Sequence, residues 1–370
     1  MINVVKPSTP PLEDFVECLA EIWDSKVFSN SGEFHQRLEY SISEYLDIKN
    51  LSLYNNGTTA LIAALSAADL EGEVITTPFT FVATLHSLIW NRLTPVFVDI
   101  DPETCNIDPL KIENAITDNT SAILAVHCYG NPCDVEAINN IAMANNLCVI
   151  YDSAHAFGVI HKGRSLLDEG DFSVLSFHST KVFHTFEGGA VVTNNAERKE
   201  VLDNIKNFGL NDPETAVLAL NGKMSEVNAA MGLLQLKYLQ LYINRRKEIN
   251  DIYLKKLSGL EGIRLIQSKG DQHNYSYFPI EIISQDSSLV EAFVEYMKVE
   301  NINCRRYFYP LVSNMKLFSS YPSADINNLP VANLISSRIV CLPIYPDLSN
   351  EDVIKVSDRV RRFLIENITS

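Results

Sequence analysis

The chain has 370 residues, 46% of them hydrophobic and 21% charged, which is an ordinary globular composition and too long for one small core. Lysine and arginine number 30 against 46 aspartates and glutamates, a net charge of −16 that argues against a nucleic-acid-binding surface. An anionic substrate would therefore have to meet cations placed locally. No apolar run approaches membrane-spanning length. Met1-Ile-Asn-Val-Val-Lys-Pro-Ser8 lacks the basic and apolar segments of a signal peptide, so a cytoplasmic protein is expected. Cysteines at 18, 105, 128, 133, 148, 304 and 341 have the irregular spacing of reduced thiols, and no metal site is expected.

From residue 50 to about 150, strand and helix patterns alternate. Leu51-Ser-Leu-Tyr-Asn-Asn-Gly-Thr-Thr59 runs from an apolar strand through a glycine into a helix. Strands are predicted at 73–77, 95–100, 122–126 and 147–151, with helices at 82–91, 109–116 and 135–145 between them. Short apolar runs separated by helices indicate a buried parallel sheet covered on both faces. Ligands of such sheets sit beyond the C-terminal strand ends, where Thr77-Pro-Phe79, Asp99, His127 and Asp152 fall. Two further strands, 172–178 and 189–193, flank a loop containing Lys181. A long helix follows over 225–257, with Val227, Ala230, Met231, Leu234, Tyr238 and Leu241 at spacings of three and four. Past about 260, strands such as 277–283 mix with helices such as 289–299. The expected architecture is a large α/β domain over 1–245 and a small α+β domain over 246–370.

Lys181 follows an apolar strand and precedes Glu187-Gly-Gly-Ala190, where glycines let backbone approach a ligand. A nucleophilic lysine must spend time deprotonated, and partial burial supplies that. Asp152 ends its strand and is followed by Ser153-Ala-His-Ala-Phe-Gly158. The helix beginning at Gly57-Thr58 offers N–H groups to an anion. Together these match the needs of pyridoxal phosphate. Lys181 forms the Schiff base, Asp152 keeps the pyridine nitrogen protonated, and the helix start takes the phosphate. Ser176 is placed to add a hydroxyl, His155 to hydrogen-bond the phenolic oxygen, and Phe81 to stack on the ring. The structural alternatives are a turn-capping aspartate, a satisfied core histidine and a core phenylalanine.

The resemblance to a known family rests on Ser31-Gly32, Asn56-Gly-Thr58, Thr77-Pro-Phe-Thr-Phe-Val-Ala-Thr84, Val98-Asp-Ile-Asp101, His127-Cys-Tyr-Gly-Asn-Pro132 and Tyr151-Asp-Ser-Ala-His155. It continues through Ser176-Phe-His-Ser-Thr-Lys181, Glu187-Gly-Gly189, Gly222-Lys-Met-Ser-Glu226 and Leu342-Pro-Ile-Tyr-Pro346. Over nearly the full chain these segments resemble the DegT/DnrJ/EryC1/StrS sugar aminotransferases, of fold-type I. The resemblance implies pyridoxal phosphate on Lys181, with Asp152 at the pyridine nitrogen, Phe81 on the ring, and Gly57, Thr58 and Ser176 at the phosphate. It implies a homodimer in which Asn221 reaches the neighbour's phosphate. It also implies transamination from L-glutamate to a nucleotide-linked keto sugar. Most members carry glutamine where this chain has His155, and many carry glycine where it has Phe186.

The stretch around 150–157 is most similar to the branch that aminates dTDP-4-keto-6-deoxyglucose at C4. This reading implies a place in O-antigen or related glycan synthesis. Lys223, Arg305 and Arg306 are the candidate cations for the substrate's diphosphate, and Tyr309 is a further substrate candidate. Within the family the alternative is C3 amination of a dTDP-3-keto sugar. A sugar-dehydrating branch carries histidine in place of the lysine. A non-catalytic, cofactor-binding regulator would need a DNA-binding appendage, for which no residues are spare. Neither Gly-x-Ser-x-Gly nor His-Glu-x-x-His occurs.

Overall fold

The computed structural model describes residues 1–367 except 215, 216, 285 and 287. A seven-stranded sheet forms from β1 (Asn50–Tyr54), β2 (Glu73–Thr76), β3 (Thr94–Phe97), β4 (Thr120–Val126) and β5 (Cys148–Asp152). After a small hairpin of β6 (Ile160–His161) and β7 (Arg164–Ser165), it is completed by β8 (Phe172–Ser176) and β9 (Gly189–Thr193). The order is β1-β9-β8-β5-β4-β2-β3, and every strand but β9 runs in one direction.

Successive strand residues feed opposite cores, because side chains alternate across a sheet. Ile123, Val149, Tyr151, Leu175 and Val192 join a core with helices Leu12–Ser25, Glu33–Leu46, Val135–Asn145 and Glu226–Leu257. Leu124, Ile150, Val174 and Val191 join a second core with helices Gly57–Ala67, Val82–Trp90, Ala196–Ile205 and Pro330–Arg338. Both faces are covered, as the apolar runs imply.

A three-stranded antiparallel sheet of β10 (Ile263–Leu265), β11 (Phe278–Ile282) and β12 (Ile339–Leu342) lies in a third core with helices Leu289–Val299 and Asn350–Asn367. Ile2 joins this core through a bridge to Ile302. Residues 245 and 246 lie inside the long helix, and Phe308, Phe318 and Ile335 return to the second core of the large sheet. Among the described residues no helix is long and apolar enough to cross a membrane.

Three elements differ from the sequence reading. The strand expected at 95–100 ends at Phe97, because the Asp99 carboxylate turns to other partners. It accepts from the Val331 and Ala332 amides at 3.0 and 2.7 Å, capping the Pro330–Arg338 helix, and it holds Lys111 Nζ at 3.0 Å. The helix expected at 109–116 is α-helical only over Pro109–Ile112 before tightening into a 3₁₀ turn. Leu241, placed on the buried stripe of the long helix, is exposed. The buried side instead runs through Gln235, Leu239, Ile243, Arg246, Ile249, Tyr253 and Leu257. One helix here serves two cores, so its buried line follows two partners in turn.

Glu226, at the start of that helix, is buried, and its carboxylate accepts from the Phe34 and His35 amides at 2.8 and 3.3 Å. It thereby satisfies the open N–H groups of the Glu33–Leu46 helix. Glu226→Ala is expected to destabilise the fold by roughly 2 kcal/mol, read as a lower urea midpoint at unchanged slope.

Candidate active site

Val126, Asp152, Val174 and Ser176 share a sheet face with Leu124 and Ile150, and Val126–Asp152 and Asp152–Val174 are paired neighbours. At the C-terminal strand ends they line a cavity of about 270 Å³, near the lower end of small-ligand sites at about 300–1,000 Å³. Gly57, Thr58, Phe81 and Lys181 line other parts of it, and Tyr277, Arg305, Tyr307 and Phe308 contribute a wall from later in the chain.

Asp152 is buried, and desolvation raises its pKa above the usual carboxylate value. Thr84 Oγ1 donates to Oδ2 at 2.7 Å, the Ala154 amide donates to Oδ1 at 3.1 Å, and the charge of Lys181 helps; all three oppose the rise. Thr80 Oγ1 lies 2.7 Å from Thr84 Oγ1 and fixes it in turn. Lys181 sits in a tight turn closed by its amide on the His178 carbonyl, 2.9 Å away. Under the turn, Phe177, Phe183 and Phe157 pack with centroids 4.4–5.9 Å apart, which holds the loop. Burial lowers the Lys181 pKa from 10.5 to about 8, with Asp152 pulling the other way. Close to half the side chain is then a free amine near pH 8, as a nucleophile requires.

The Gly57–Ala67 helix is capped by Asn56, whose side chain accepts from the Thr59 amide at 2.8 Å. A Cβ at Gly57 would stand 2.8 Å from Ser176 Cβ, and one at Gly189 would stand 2.7 Å from the Asn56 carbonyl. Glycine at both positions lets the helix N-terminus sit directly against β8 and β9. Gly57, Thr58 and Ser176 thus meet at one end of the cavity, an arrangement suited to phosphate. Phe81 directly precedes helix Val82–Trp90 and lines the cavity as an exposed residue (56%), where its ring is open to a ligand.

His155 lines the cavity. Its Nδ1 accepts from the Tyr129 amide at 3.2 Å, and its Nε2 is 3.1 Å from Tyr277 Oη. Both ring nitrogens are committed to protein groups. Of the four substrate candidates, Arg305 lines the cavity, its guanidinium over the Tyr307 ring. Arg306 does not, because Glu291 and the Ser336 and Ser337 carbonyls hold its guanidinium, which also stacks on Tyr309. Exposed Tyr309 lies outside the lining as well. Lys223 faces a different, larger groove, with its ammonium over Phe208. Asn221 is exposed and outside the cavity, its carbonyl accepting from the Asn55 side chain at 3.2 Å. The sequence reading missed Thr84, Tyr277 and Tyr307. Thr84 lay within a quoted motif, but nothing in the pattern tied it to Asp152.

Pyridoxal phosphate fits this set of groups. A desolvated lysine and a buried carboxylate lie within electrostatic reach of each other, and a glycine-lined helix N-terminus completes the site. The fold and the site define a pyridoxal phosphate-dependent aminotransferase. The chain belongs to the DegT/DnrJ/EryC1/StrS aminotransferase family, whose pattern matches residues 12–361. It is similar to the dTDP-4-amino-4,6-dideoxy-D-glucose transaminase of Shigella dysenteriae, with 48% identity over 353 residues and 95% of each chain covered. The enzyme of the same name from Escherichia coli is 47% identical over 359 residues, covering 96% of this chain and 97% of its own. Among solved structures, DesI with its TDP-sugar product superposes with a TM-score of 0.93 at 33% identity, covering 98% of this chain and 92% of DesI.

The depressed lysine has a measurable cost in the cofactor-free protein. The unfolded chain keeps the ordinary value of 10.5, so between about 8 and 10.5 the folded state binds fewer protons, and the penalty is fully present below about 8. Lys181→Met is expected to stabilise the cofactor-free protein at pH 7 by on the order of 2 kcal/mol. That gain should fade as pH rises from about 8 to 10.5. Urea unfolding at several pH values reads this directly, and a gain independent of pH would contradict it.

Proposed function

We propose that the protein transfers the amino group of L-glutamate to C4 of dTDP-4-keto-6-deoxyglucose, giving dTDP-4-amino-4,6-dideoxyglucose for an O-antigen or related glycan in the cytoplasm. The observation that carries this reading is Lys181, a desolvated amine sharing a cavity with a buried carboxylate and a helix N-terminus. The names of the Shigella and E. coli relatives support the choice of sugar. When bound, the cofactor supplies an electron sink for the carbon that loses its proton. Lys181 Nζ would hold the cofactor and would take up and return the proton of the substrate carbon. Asp152 keeps the ring nitrogen protonated, Phe81 covers the ring face, and Gly57, Thr58 and Ser176 hold the phosphate. Arg305 is the cavity-lining cation for the sugar nucleotide's diphosphate.

The working form in this reading is a homodimer with shared sites. Exposed Phe208, Leu210 and Leu218 lie on the segment leading to Asn221, an apolar surface suited to burial against a second copy that would bring Asn221 to the neighbour's phosphate. Sedimentation is expected to show a dimer, and a fully active monomer would overturn this part.

One assay tests the reaction. With glutamate, the 4-keto and 3-keto isomers are supplied in turn, 2-oxoglutarate release is followed, and proton couplings locate the new amine. Turnover of the 4-keto isomer with the amine at C4 is expected; amination at C3 would refute the proposed sugar. Borohydride should fix cofactor to the peptide containing Lys181, and Lys181→Ala should abolish turnover. Asp152→Asn is expected to slow the reaction at least about a hundredfold, roughly 2.7 kcal/mol of barrier.

A further inference from the structure

Asp152 stands at the end of a chain of hydroxyls. Thr84 Oγ1 lies 2.7 Å from its Oδ2, and Thr80 Oγ1 lies 2.7 Å from Thr84 Oγ1. Both threonines are buried, at 1% exposure or less. Each hydroxyl carries one proton, and an ionised carboxylate only accepts. When Asp152 is ionised, Thr84 gives it that proton, and Thr80 must then give its own to Thr84. Every donor in the chain is used. An acid proton on Oδ2 reverses the order, and the Thr80 proton then ends without a protein acceptor among the described residues. An acid proton on Oδ1 makes that oxygen a poorer acceptor for the Ala154 amide, 3.1 Å away. A buried donor left unpaired is costly, so the chain favours the anion.

One short stretch of chain holds both hydroxyls in place. Thr80 precedes the Val82–Trp90 helix, and Thr84 lies in its first turn, with its amide donating to the Phe81 carbonyl at 3.2 Å. The Thr84 carbonyl accepts from Ser87 Oγ at 2.7 Å. Thr80 and Phe81 line the cavity together with Asp152. Burial pushes the Asp152 pKa up, and the Thr84 hydrogen bond is the strongest influence opposing it, ahead of the Ala154 amide and Lys181. With one donor on each oxygen, the carboxylate keeps lone pairs for a third from the cavity.

We propose that Thr84, backed by Thr80, is a positioning residue that decides where the shared proton rests when pyridoxal phosphate is bound: on the ring nitrogen and not on Asp152. The proposal rests on the pyridoxal phosphate reading and not on which sugar is aminated. Two bases compete there for one proton. A desolvated carboxylate without this donor takes the proton itself and leaves the ring nitrogen bare, and the ring then draws electrons less strongly. The hydroxyl chain makes the carboxylate a weaker base, so the proton stays on the ring. The charged and titratable groups around Asp152 include Lys181, His178 and Glu187 from the loop after β8, Cys128 and His155 from the turns after β4 and β5, and Arg305 across the cavity. All six stay in place in the threonine variants below.

The cofactor-free chain tests the hydroxyls by themselves. Thr84→Val keeps the shape and removes the donor. The aspartate carboxyl ¹³C signal that Asp152→Asn removes should titrate at higher pH in Thr84→Val, with its proton affinity raised at least about tenfold. Thr80→Val should move it the same way by less, and the double variant Thr80→Val/Thr84→Val no further than Thr84→Val alone. Thr84→Ser, which keeps the hydroxyl, should return it toward wild type. In the holoenzyme, the ¹⁵N shift of labelled pyridoxal phosphate should report a protonated ring nitrogen in wild type and a largely bare one in Thr84→Val. There kcat should fall about tenfold while the glutamate KM changes less than about twofold. An unmoved carboxyl titration in Thr84→Val, or a ring nitrogen equally protonated in both proteins, would overturn the proposal; shifts that add in the double variant would overturn the role of Thr80. A wild-type protein showing no visible band with pyridoxal phosphate would overturn the cofactor reading, while the carboxyl titration would still judge the threonine chain.

Discussion

Keeping an aspartate and a lysine together out of water is the constraint on which the rest of this structure depends. Each charge is disfavoured by burial and each favours the other, so the pair persists only where geometry and hydrogen bonds are fixed. The Thr80–Thr84–Asp152 chain and the Ala154 amide provide that for the carboxylate. Three phenylalanines beneath the turn do so for the lysine. The sheet supplies the frame, since Asp152 is in register with Val174 on the neighbouring strand and the lysine loop begins where that strand ends.

The cavity wall that carries Asp152, Gly57 and Lys181 was legible in the sequence because its signals are local. A strand end followed by a carboxylate, a glycine before a helix and a lysine after an apolar run each report on their own neighbourhood, and Asp152, Gly57 and Lys181 all reach the cavity. The opposite wall was harder to read. Arg305 and Arg306 are adjacent and chemically alike, yet alternation sends one to the cavity and the other to Glu291 and two carbonyls. Tyr277 was seen only as the start of a strand, because its link to His155 is a contact between distant segments. The long helix shows the same limit: spacing identified a stripe, but Leu241 fell off it because the helix changes partners along its length.

Phe186 adopts φ of 63°, a left-handed conformation that costs a side-chain-bearing residue roughly 1–2 kcal/mol. Its ring meets Phe15 edge-on at 5.6 Å, and its amide donates to His184 Nδ1 at 3.3 Å. These contacts offset part of the strain and tie the N-terminal helix to the segment following the lysine loop.

The two walls of the cavity have different ancestries within the fold. Asp152, Ser176 and Lys181 belong to the large sheet and its loops, whereas Tyr277 and Arg305 lie beside strands of the small one. Arg246, buried in the long helix, donates to the Ile344 carbonyl at 2.9 Å and the Tyr275 carbonyl at 3.4 Å, anchoring the second wall to an element that also packs on the first. Mutational drift can therefore reshape the wall of Tyr277 and Arg305 while the wall of Asp152, Ser176 and Lys181 stays under its own packing. A lineage built this way can vary one wall of its cavity without relearning how to move an amino group.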